Sequence, residues 1–326
     1  MAWWKSSLAL LVLATAVLPA AAQAPAAYPS RPIKWVVPYP PAGITDTVTR
    51  VIAQRLQDAL GQPVVIENKP GANSIVGADL VAKATPDGYT MLTVIAAHAA
   101  NATLYAGKLP FDSVKSFAPV SLVASAPLIL CVKNDFPAKD AREFIAYAKA
   151  NPGKITFATS GIGSASHLTM EMFQQTANIK LTHVPYKGTA PAITALMSGE
   201  IDAMMDVPSS MVTQARAGKF RSVALFAARR AASAPEVPTL AEGGGPALEG
   251  STWVMFMAPA DTPREAVARV SAEVGKIMAS PDLRGRFEQL GIEPIGTTPA
   301  EAARFLDEEI AKWAKVITAA GVKTEQ

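Results

Sequence analysis

The chain has 326 residues, of which 50% are hydrophobic, 17% charged and 7% aromatic, and its formal net charge at pH 7 is +3. This length predicts about two domains with sizeable cores, and the composition excludes a disordered or fibrous protein. The single cysteine excludes an intramolecular disulfide, a multi-cysteine zinc site and a cysteine-ligated iron–sulfur cluster. The near balance of 30 basic and 27 acidic residues, without a long basic run, argues against nucleic acid as a partner.

The first 24 residues have the pattern of a secretory signal peptide. A positive start is followed by the apolar run of residues 8–18, then by Pro19 and small residues, which predicts cleavage after Ala22 or Ala24. The alternative, a membrane anchor, is disfavoured because this run is shorter than the ~20 residues that a membrane span needs. We therefore expect an exported chain.

Strands and helices alternate along the first half of the remaining chain. Apolar patterns predict strands over residues 33–37, 64–66 and 89–95, and helices over residues 47–60 and 74–84.

The second half repeats this alternation. The predicted strands are residues 128–132, 155–158, 181–184, 201–207, 221–226 and 253–258. The predicted helices are residues 139–150, 167–176, 190–198, 209–217, 263–279, 281–290 and 299–320. Such alternation predicts an α/β fold with mostly parallel sheets and helices on both faces.

Two loops, each between a strand and a helix, carry the functional signal. In an open parallel sheet, ligands bind beyond the carboxyl ends of the strands, where helix starts offer free backbone N–H groups and a positive dipole end to an anion. Glycines allow close approach of the backbone, and Ser and Thr hydroxyls add donors. The candidate binding residues in these loops are Tyr39, Pro41, Ala42, Gly43, Ile44, Thr45, Asp46, Thr159, Ser160, Gly161, Gly163, Ser164, Ser166 and His167.

These residues also have a purely local interpretation. Thr45, Asp46, Ser164 and Ser166 could serve only as helix N-caps, and the prolines could serve only to end elements. The occurrence of such loops at equivalent places in both halves of an exported chain favours the binding interpretation.

Motifs for catalysis, metals and cofactors are missing. The three histidines lack metal-ligand spacing, and no His-Glu-x-x-His helix is present, so we expect no metal. Ser164 and His167 could suggest a hydrolase, but the Gly-x-Ser-x-Gly elbow is missing. The glycine pair of the second loop lacks the third glycine of a dinucleotide fingerprint, and there is no P-loop, so we expect no cofactor. His183, Cys131 and the Met204–Met205 pair are predicted to be structural.

Short motifs follow one another in order along nearly the whole mature chain. They are YPSRPI at 28–33, the Pro-rich loop ending at Asp46, VIENKPGA at 65–72, PDGYT at 86–90, residues 161–168, VPYKG at 184–188, Pro191-Ala192 with GEID at 199–202, and PEVPTLAE at 235–242. This series resembles the tripartite tricarboxylate transporter receptors, the Bug-type extracytoplasmic solute-binding proteins.

The resemblance implies a two-lobed periplasmic binding protein of type II (Venus-flytrap) architecture. Lobe 1 would comprise residues 28–126 plus 251–326 and lobe 2 residues 127–250, with hinges near 125–127 and 249–251. A small organic carboxylate would be held between the lobes by the two loops, partly through waters, and a monomeric receptor would deliver it to the membrane permease subunits of a tripartite transporter. Ala42 and Ile162 stand where the family commonly has glycine, so ligand preference is the least transferable property.

Four more candidates for ligand contact lie outside the two loops. His98 is one. Tyr186 and Lys187 follow a strand and could supply a hydroxyl and a cation, or could lie in a solvated loop. Asp206 ends a strand and either faces the cleft as an acceptor or caps the next helix.

Two functions of other kinds stay open from the sequence. One is an exported α/β enzyme acting on a carboxylate or ester, and the other is the ligand-binding subunit of a periplasmic sensor system.

Overall fold

The computed structural model describes residues 28–41 and 43–324. In chain order the strands are β1 (Ile33–Val37), β2 (Val64–Asn68), β3 (Thr90–Ile95), β4 (Phe117–Val132), β5 (Thr156–Thr159), β6 (Thr182–Pro185), β7 (Ala203–Asp206), β8 (Arg221–Phe226), β9 (Ser251–Pro259) and β10 (Glu293–Pro294). The helices are α1 (Ile44–Leu60), α2 (Ile75–Ala82), α3 (Ala96–Leu104), α4 (Ala141–Ala150), α5 (Ala165–Ala177), α6 (Thr189–Ser198), α7 (Pro208–Arg216), α8 (Arg264–Ala279), α9 (Pro281–Gln289) and α10 (Pro299–Ala320). The predicted signal peptide at residues 1–24 and the candidate Ala42 lie outside the described residues.

The first sheet has the strand order β2–β1–β3–β9–β4, with β10 also paired to β4. β2, β1 and β3 run parallel, whereas β9 is antiparallel to both β3 and β4. The apolar stripe of α1, which includes Val48, Ile52 and Leu56, is buried together with the inner faces of α8 and α9. Trp35 of β1 and Phe256 of β9 meet edge to face at 4.6 Å within this core.

The second sheet is built on the parallel strands β7, β5 and β6 in that order. The last part of β4, residues 128–132, runs antiparallel to both β7 and β8. Met204 and Met205 are buried in this region, as is Cys131, where burial raises the pKa of the thiol to about 12. These three residues therefore have the structural roles that the sequence predicts.

Strand β4 belongs to both sheets. Its residues 117–127 pair with β9, and residues 128–132 pair with β7 and β8. The small residues 125–127, expected from the sequence to form a flexible crossing, lie within this continuous strand, where Ser125 pairs with Trp253 and Pro127 with Ser251. The molecule is thus a two-lobed α/β protein whose two sheets share one long strand.

The main departures from the predicted elements are at α3, at the start of β4 and in the direction of several strands. α3 was not predicted, since it follows β3 directly without a capping residue. β4 begins eleven residues before the strand predicted at Leu128. The alternating pattern predicts mostly parallel sheets, and β2–β1–β3 and β7–β5–β6 are parallel. β4, β8 and β9 add antiparallel pairs, because strand direction depends on where the chain returns and not on local periodicity.

Along the described part of the chain, no helix combines the length and apolar character needed to cross a bilayer.

Candidate ligand-binding site

The first loop (residues 38–43) carries the chain from the end of β1 to the start of α1. Gly43 is the N-cap residue; no side chain caps the helix there, and the Thr47 amide donates to the Gly43 carbonyl at 2.9 Å. Pro41 and Gly43 are exposed, Ile44 is half-buried and Thr45 is buried. A helix start without a side-chain cap leaves amide donors of its first turn available to an anion.

Asp46, in the first turn of α1, is linked through Asn68 to the backbone of this loop. Its carboxylate accepts from Arg50 Nε at 2.9 Å and from Asn68 Nδ2 at 2.9 Å. Asn68 also donates to the Tyr39 carbonyl at 3.1 Å, which ties β2 to the loop. The Asp46 side chain is buried and its carboxylate is engaged by the protein, so these contacts favour a structural role for Asp46 over ligand contact.

The second loop (residues 160–164) joins β5 to α5. Gly161 and Gly163 have φ values of 138° and 77°, which L side chains rarely adopt. Ser164 is the N-cap of α5: its Oγ accepts from the His167 amide at 3.3 Å and lies 3.0 Å from Ser166 Oγ. Ser164 is therefore a cap, as the local interpretation held, and it also belongs to a pair of adjacent hydroxyls at a helix start.

Ser160 occupies the opposite end of the second loop. It is half-buried, and its hydroxyl has no hydrogen-bond partner within residues 28–41 and 43–324. The Ser160 carbonyl accepts from the Gly188 amide at 3.1 Å, and the Thr159 carbonyl accepts from the Tyr186 amide at 3.1 Å. The backbone of residues 186–188 thus supports the second loop.

The side chains of Tyr186 and Lys187 do not reach this loop through any described contact. The Tyr186 hydroxyl donates to Glu200 Oε1 at 3.1 Å, and Lys187 is exposed. Their positions fit the solvated-loop alternative.

Asp206 is buried at the end of β7. Its carboxylate accepts from the Val207 amide at 2.7 Å, from Thr189 Oγ1 at 2.8 Å and from Ser210 Oγ at 3.3 Å. Burial raises the pKa of this carboxyl, and the three hydrogen bonds partly offset the increase. Asp206 joins the starts of α6 and α7, which agrees with the capping alternative.

His98 is a buried residue of α3. Its Nε2 is 2.9 Å from the Ser113 carbonyl, and its ring meets Phe111 at 6.0 Å and Phe117 at 5.3 Å. Burial lowers the pKa of His98 to about 4. These contacts account for the imidazole without a ligand, and we do not place His98 in the candidate site.

The second loop meets the first lobe at Gly163. A Cβ atom at this position would lie 2.4 Å from Leu104 Cδ1 and 3.3 Å from Asn73 Nδ2. Asn73 is held by Asn101, whose Oδ1 accepts from Asn73 Nδ2 at 2.8 Å and whose Nδ2 donates to the Asn73 carbonyl at 2.8 Å. The loops expected from the sequence to face one another therefore belong to lobes that are in contact.

A strained turn next to this contact was missed by the sequence analysis. Ala72, Asn73 and Ser74 have φ values of 44°, 51° and 77°, a conformation that costs free energy for non-glycine residues and concentrates at binding sites. Ser74 is 2% exposed, and neither its Oγ nor the Tyr39 hydroxyl has a well-aligned hydrogen bond among the described residues. Burial raises the pKa of Tyr39, and the neighbouring Ser74 hydroxyl offsets part of the increase. The sequence signal for this turn is Asn73-Ser74, two residues common in turns, directly after the motif at 65–72.

Two surface cavities lie away from these loops. One, of about 440 Å³, is lined by residues at the end of α4 with Lys149 and Lys180, and the other, of about 280 Å³, adjoins the Lys133–Asp202 ion pair. Lys149 and Lys180 are exposed, and neither cavity is lined by a residue of the two loops.

The arrangement is suited to holding an anion without a cation. Neither loop contains Lys or Arg. The donors that remain are amides of the first turns of α1 and α5, the Ser160 hydroxyl and one hydroxyl of the hydrogen-bonded pair Ser164–Ser166, and these can form charge-assisted hydrogen bonds to carboxylate oxygens.

Comparisons with solved structures agree with this architecture. The periplasmic binding protein BugD is 34% identical, covers 91% of this chain and 100% of its own, and has a TM-score of 0.80. R. palustris Rpa4515 with adipate is 33% identical, with 91% and 99% covered and a TM-score of 0.84. MatC (Rpa3494) from Rhodopseudomonas palustris with bound malate is 34% identical, with 89% and 100% covered and a TM-score of 0.79.

Residues 48–322 match the family described as the tripartite tricarboxylate transporter family receptor. The chain belongs to this family, and the resemblance drawn from its motifs is confirmed.

Proposed function

We propose that this member of the tripartite tricarboxylate transporter receptor family is a periplasmic, monomeric receptor that binds a small organic carboxylate between its two lobes and delivers it to permease subunits. The observation that carries the proposal is the pair of helix starts, α1 and α5, each reached by a glycine-containing loop at the carboxyl end of a parallel strand. Such positions favour anions because amides and helix dipoles converge there. The signal-peptide pattern of residues 1–24 supports the periplasmic location.

A short dicarboxylate is the ligand class that this arrangement favours. Two helix starts on different lobes can each take one carboxylate group. The related structures that contain adipate and malate support this assignment, since both molecules are dicarboxylates. With no Lys or Arg in either loop, the free energy of binding would come from amide and hydroxyl donors in a partly desolvated cleft.

The lobes comprise residues 28–126 with 251–326, and residues 127–250. Strand pairing supports this division to within one residue, because the described strands up to residue 127 and after residue 250 pair in the first sheet, whereas residues 128–226 pair in the second. Ligand would favour the closed arrangement, in which Gly163 meets Leu104. Small-angle scattering of the monomer should show a smaller radius of gyration with saturating ligand; superimposable curves with calorimetrically demonstrated binding would establish a rigid cleft.

Binding without turnover is the activity that the second loop supports. His167 Nδ1 already accepts from the Gly163 amide at 3.1 Å, and Ser164 Oγ lies beside Ser166 Oγ at 3.0 Å. The serine hydroxyl therefore lacks the aligned base that a nucleophile requires.

Titration calorimetry of the mature protein with malate and adipate tests the proposal, with hexane-1,6-diol as the neutral control. Saturable one-to-one binding of a dicarboxylate, no binding of the diol and recovery of unchanged ligand by NMR are the expected results. Absence of binding across a wider carboxylate panel would contradict the ligand class, and consumption of the ligand would identify an enzyme.

A further inference from the structure

Two stacked histidines lie directly behind the second loop. The ring centroids of His167 and His183 are 3.9 Å apart with an interplanar angle of 14°. His183 also stacks on Phe157 of the neighbouring strand at 4.8 Å. His167 is 4% exposed, and the two rings come from different elements, α5 and β6.

Each ring forms a hydrogen bond to the second loop or to the residue just before it: His167 to Gly163, and His183 to Thr159. His167 Nδ1 accepts from the Gly163 amide at 3.1 Å. His183 Nε2 lies 2.7 Å from Thr159 Oγ1, and this hydroxyl lies 3.3 Å from both the amide nitrogen and the carbonyl oxygen of Gly161. The two glycines with positive φ are thereby tied to the histidine pair.

The His167 ring must be neutral to do this. Nδ1 of His167 can accept a hydrogen bond only when it carries no proton, which places the ring proton on Nε2, on the side of Glu171 Oε1 at 3.7 Å. Burial lowers the pKa of His167 to about 3, with His183 contributing, and burial lowers the pKa of His183 to about 4.

We propose that His167 and His183 are a positioning pair that holds the second loop in its binding shape without touching the ligand; this inference rests on the proposed function. A glycine-containing loop is flexible on its own, and ordering it at the moment of binding would reduce affinity. Bonds from a rigid, stacked pair to Thr159 and Gly163 order the loop in advance, which is the general route by which preorganisation strengthens binding.

The test compares three variants with the wild-type protein. His183→Phe keeps a ring for stacking but removes the bond to Thr159, and His183→Gln keeps a polar group there. His98→Phe is the matched control. His98 is buried whereas His183 is half-buried, but both rings are stacked and both are bonded through Nε2 to a protein oxygen, which for His98 is the Ser113 carbonyl at 2.9 Å. Hydrogen exchange of the segment 157–168 in the ligand-free protein, calorimetry with malate and adipate, and thermal unfolding are measured on each.

We expect His183→Phe to accelerate exchange in this segment and to weaken binding about tenfold, the size of one lost hydrogen bond. His183→Gln should recover part of both effects, and His98→Phe should lower thermal stability while leaving exchange in the segment and affinity unchanged. The proposal would be overturned if folded His183→Phe showed the exchange rate and affinity of the wild-type protein. It would also be overturned if His98→Phe accelerated exchange in the segment and weakened binding as much as His183→Phe does.

A fourth variant guards against misfolding of His183→Phe. Thr159→Val removes the hydroxyl that links His183 to Gly161 and should reproduce the faster exchange; wild-type exchange in this variant would also overturn the proposal. If wild-type protein binds no carboxylate, the proposed function fails, whereas exchange in the ligand-free variants still decides whether the histidines order the loop.

Discussion

Gly250 lies directly against Thr169: a Cβ atom at position 250 would lie 2.2 Å from the Thr169 Cγ2 methyl. Gly250 immediately precedes β9. Its amide donates to the Phe226 carbonyl at 3.0 Å, and its carbonyl accepts from the Leu128 amide at 2.9 Å. The contact therefore places α5 of the second lobe against the point where the chain returns to the first. Only the absence of a side chain at position 250 permits this approach.

The first prediction is that Gly250→Ala destabilises the protein. The added methyl group forces α5 or the crossing strand to shift, and overpacking of this kind costs about 1–3 kcal/mol. Gly275→Ala is the control, because Gly275 lies within α8 with nothing within 4 Å of the added Cβ, so this change should be neutral or stabilise by up to about 1 kcal/mol. Urea denaturation measures both, and equal midpoints for the two variants would contradict the steric argument.

The second prediction concerns Glu309, which joins α10 to β9. Its carboxylate accepts from the indole Nε1 of Trp253 at 2.7 Å and of Trp313 at 2.8 Å, and it also pairs with Lys312. Glu309→Ala leaves two buried indole donors without an acceptor and should cost roughly 2–5 kcal/mol in the free energy of unfolding.

The neighbouring residue provides the control for Glu309. Glu308 is exposed on the same helix, so Glu308→Ala should leave the free energy of unfolding within about 0.5 kcal/mol of wild type. Denaturation followed by tryptophan fluorescence reports on both variants. A Glu309→Ala protein as stable as Glu308→Ala would show that the indole bonds contribute no net stability.

The third prediction is a loss of stability in mild acid. Burial lowers the pKa of His98 to about 4, of His167 to about 3 and of His183 to about 4, below the ~6.5 of an exposed histidine. The unfolded chain therefore binds protons first as pH falls, and the free energy of unfolding should decline from about pH 6.5 to pH 4. Asp206 acts in the opposite direction near the acid end, because its raised pKa makes the folded state bind that proton first.

Urea denaturation at pH 7, 6 and 5 measures this dependence. His98→Phe removes one of the three groups and should give a shallower decline than wild type. Equal stability of the wild-type protein at pH 7 and pH 5 would mean that the histidines do not stay neutral in the folded state.

The fourth prediction separates binding from capping in the second loop. Ser160→Ala should weaken carboxylate binding by roughly 1.5–3 kcal/mol with little change in stability, since its hydroxyl bonds no described residue. Ser164→Ala should weaken binding and also lower stability by about 1 kcal/mol, because Ser164 Oγ caps α5. Ser209→Ala, at an exposed hydroxyl near the start of α7, is the control and should change neither. Unchanged affinity in both loop variants would remove these hydroxyls from the site.

From the amino-acid sequence one can predict mostly parallel sheets and candidate positions for a ligand, and these positions stay predictions. Alternating apolar strands and amphipathic helices are local patterns that the sequence shows directly. The carboxyl ends of parallel strands are the usual binding positions in such sheets. The ordered motifs from Tyr28 to Glu242 were sufficient to identify the family, which residues 48–322 confirm.

Only the tertiary structure decided how the candidate polar residues are used. Asp46, Asp206 and His98 have the residue types of a binding site, yet their partners Asn68, Thr189 and Ser113 are 15 to 22 positions away, and no periodicity reports such pairs.

The tertiary structure also decided how the lobes are joined. The shared strand β4, the turn at Asn73 and the contact of Gly163 with Leu104 depend on the return of distant segments to one place. Packing between such segments is fixed by the whole chain at once, because each contact depends on the elements that place both partners, whereas the sequence patterns that predict helices and strands are local.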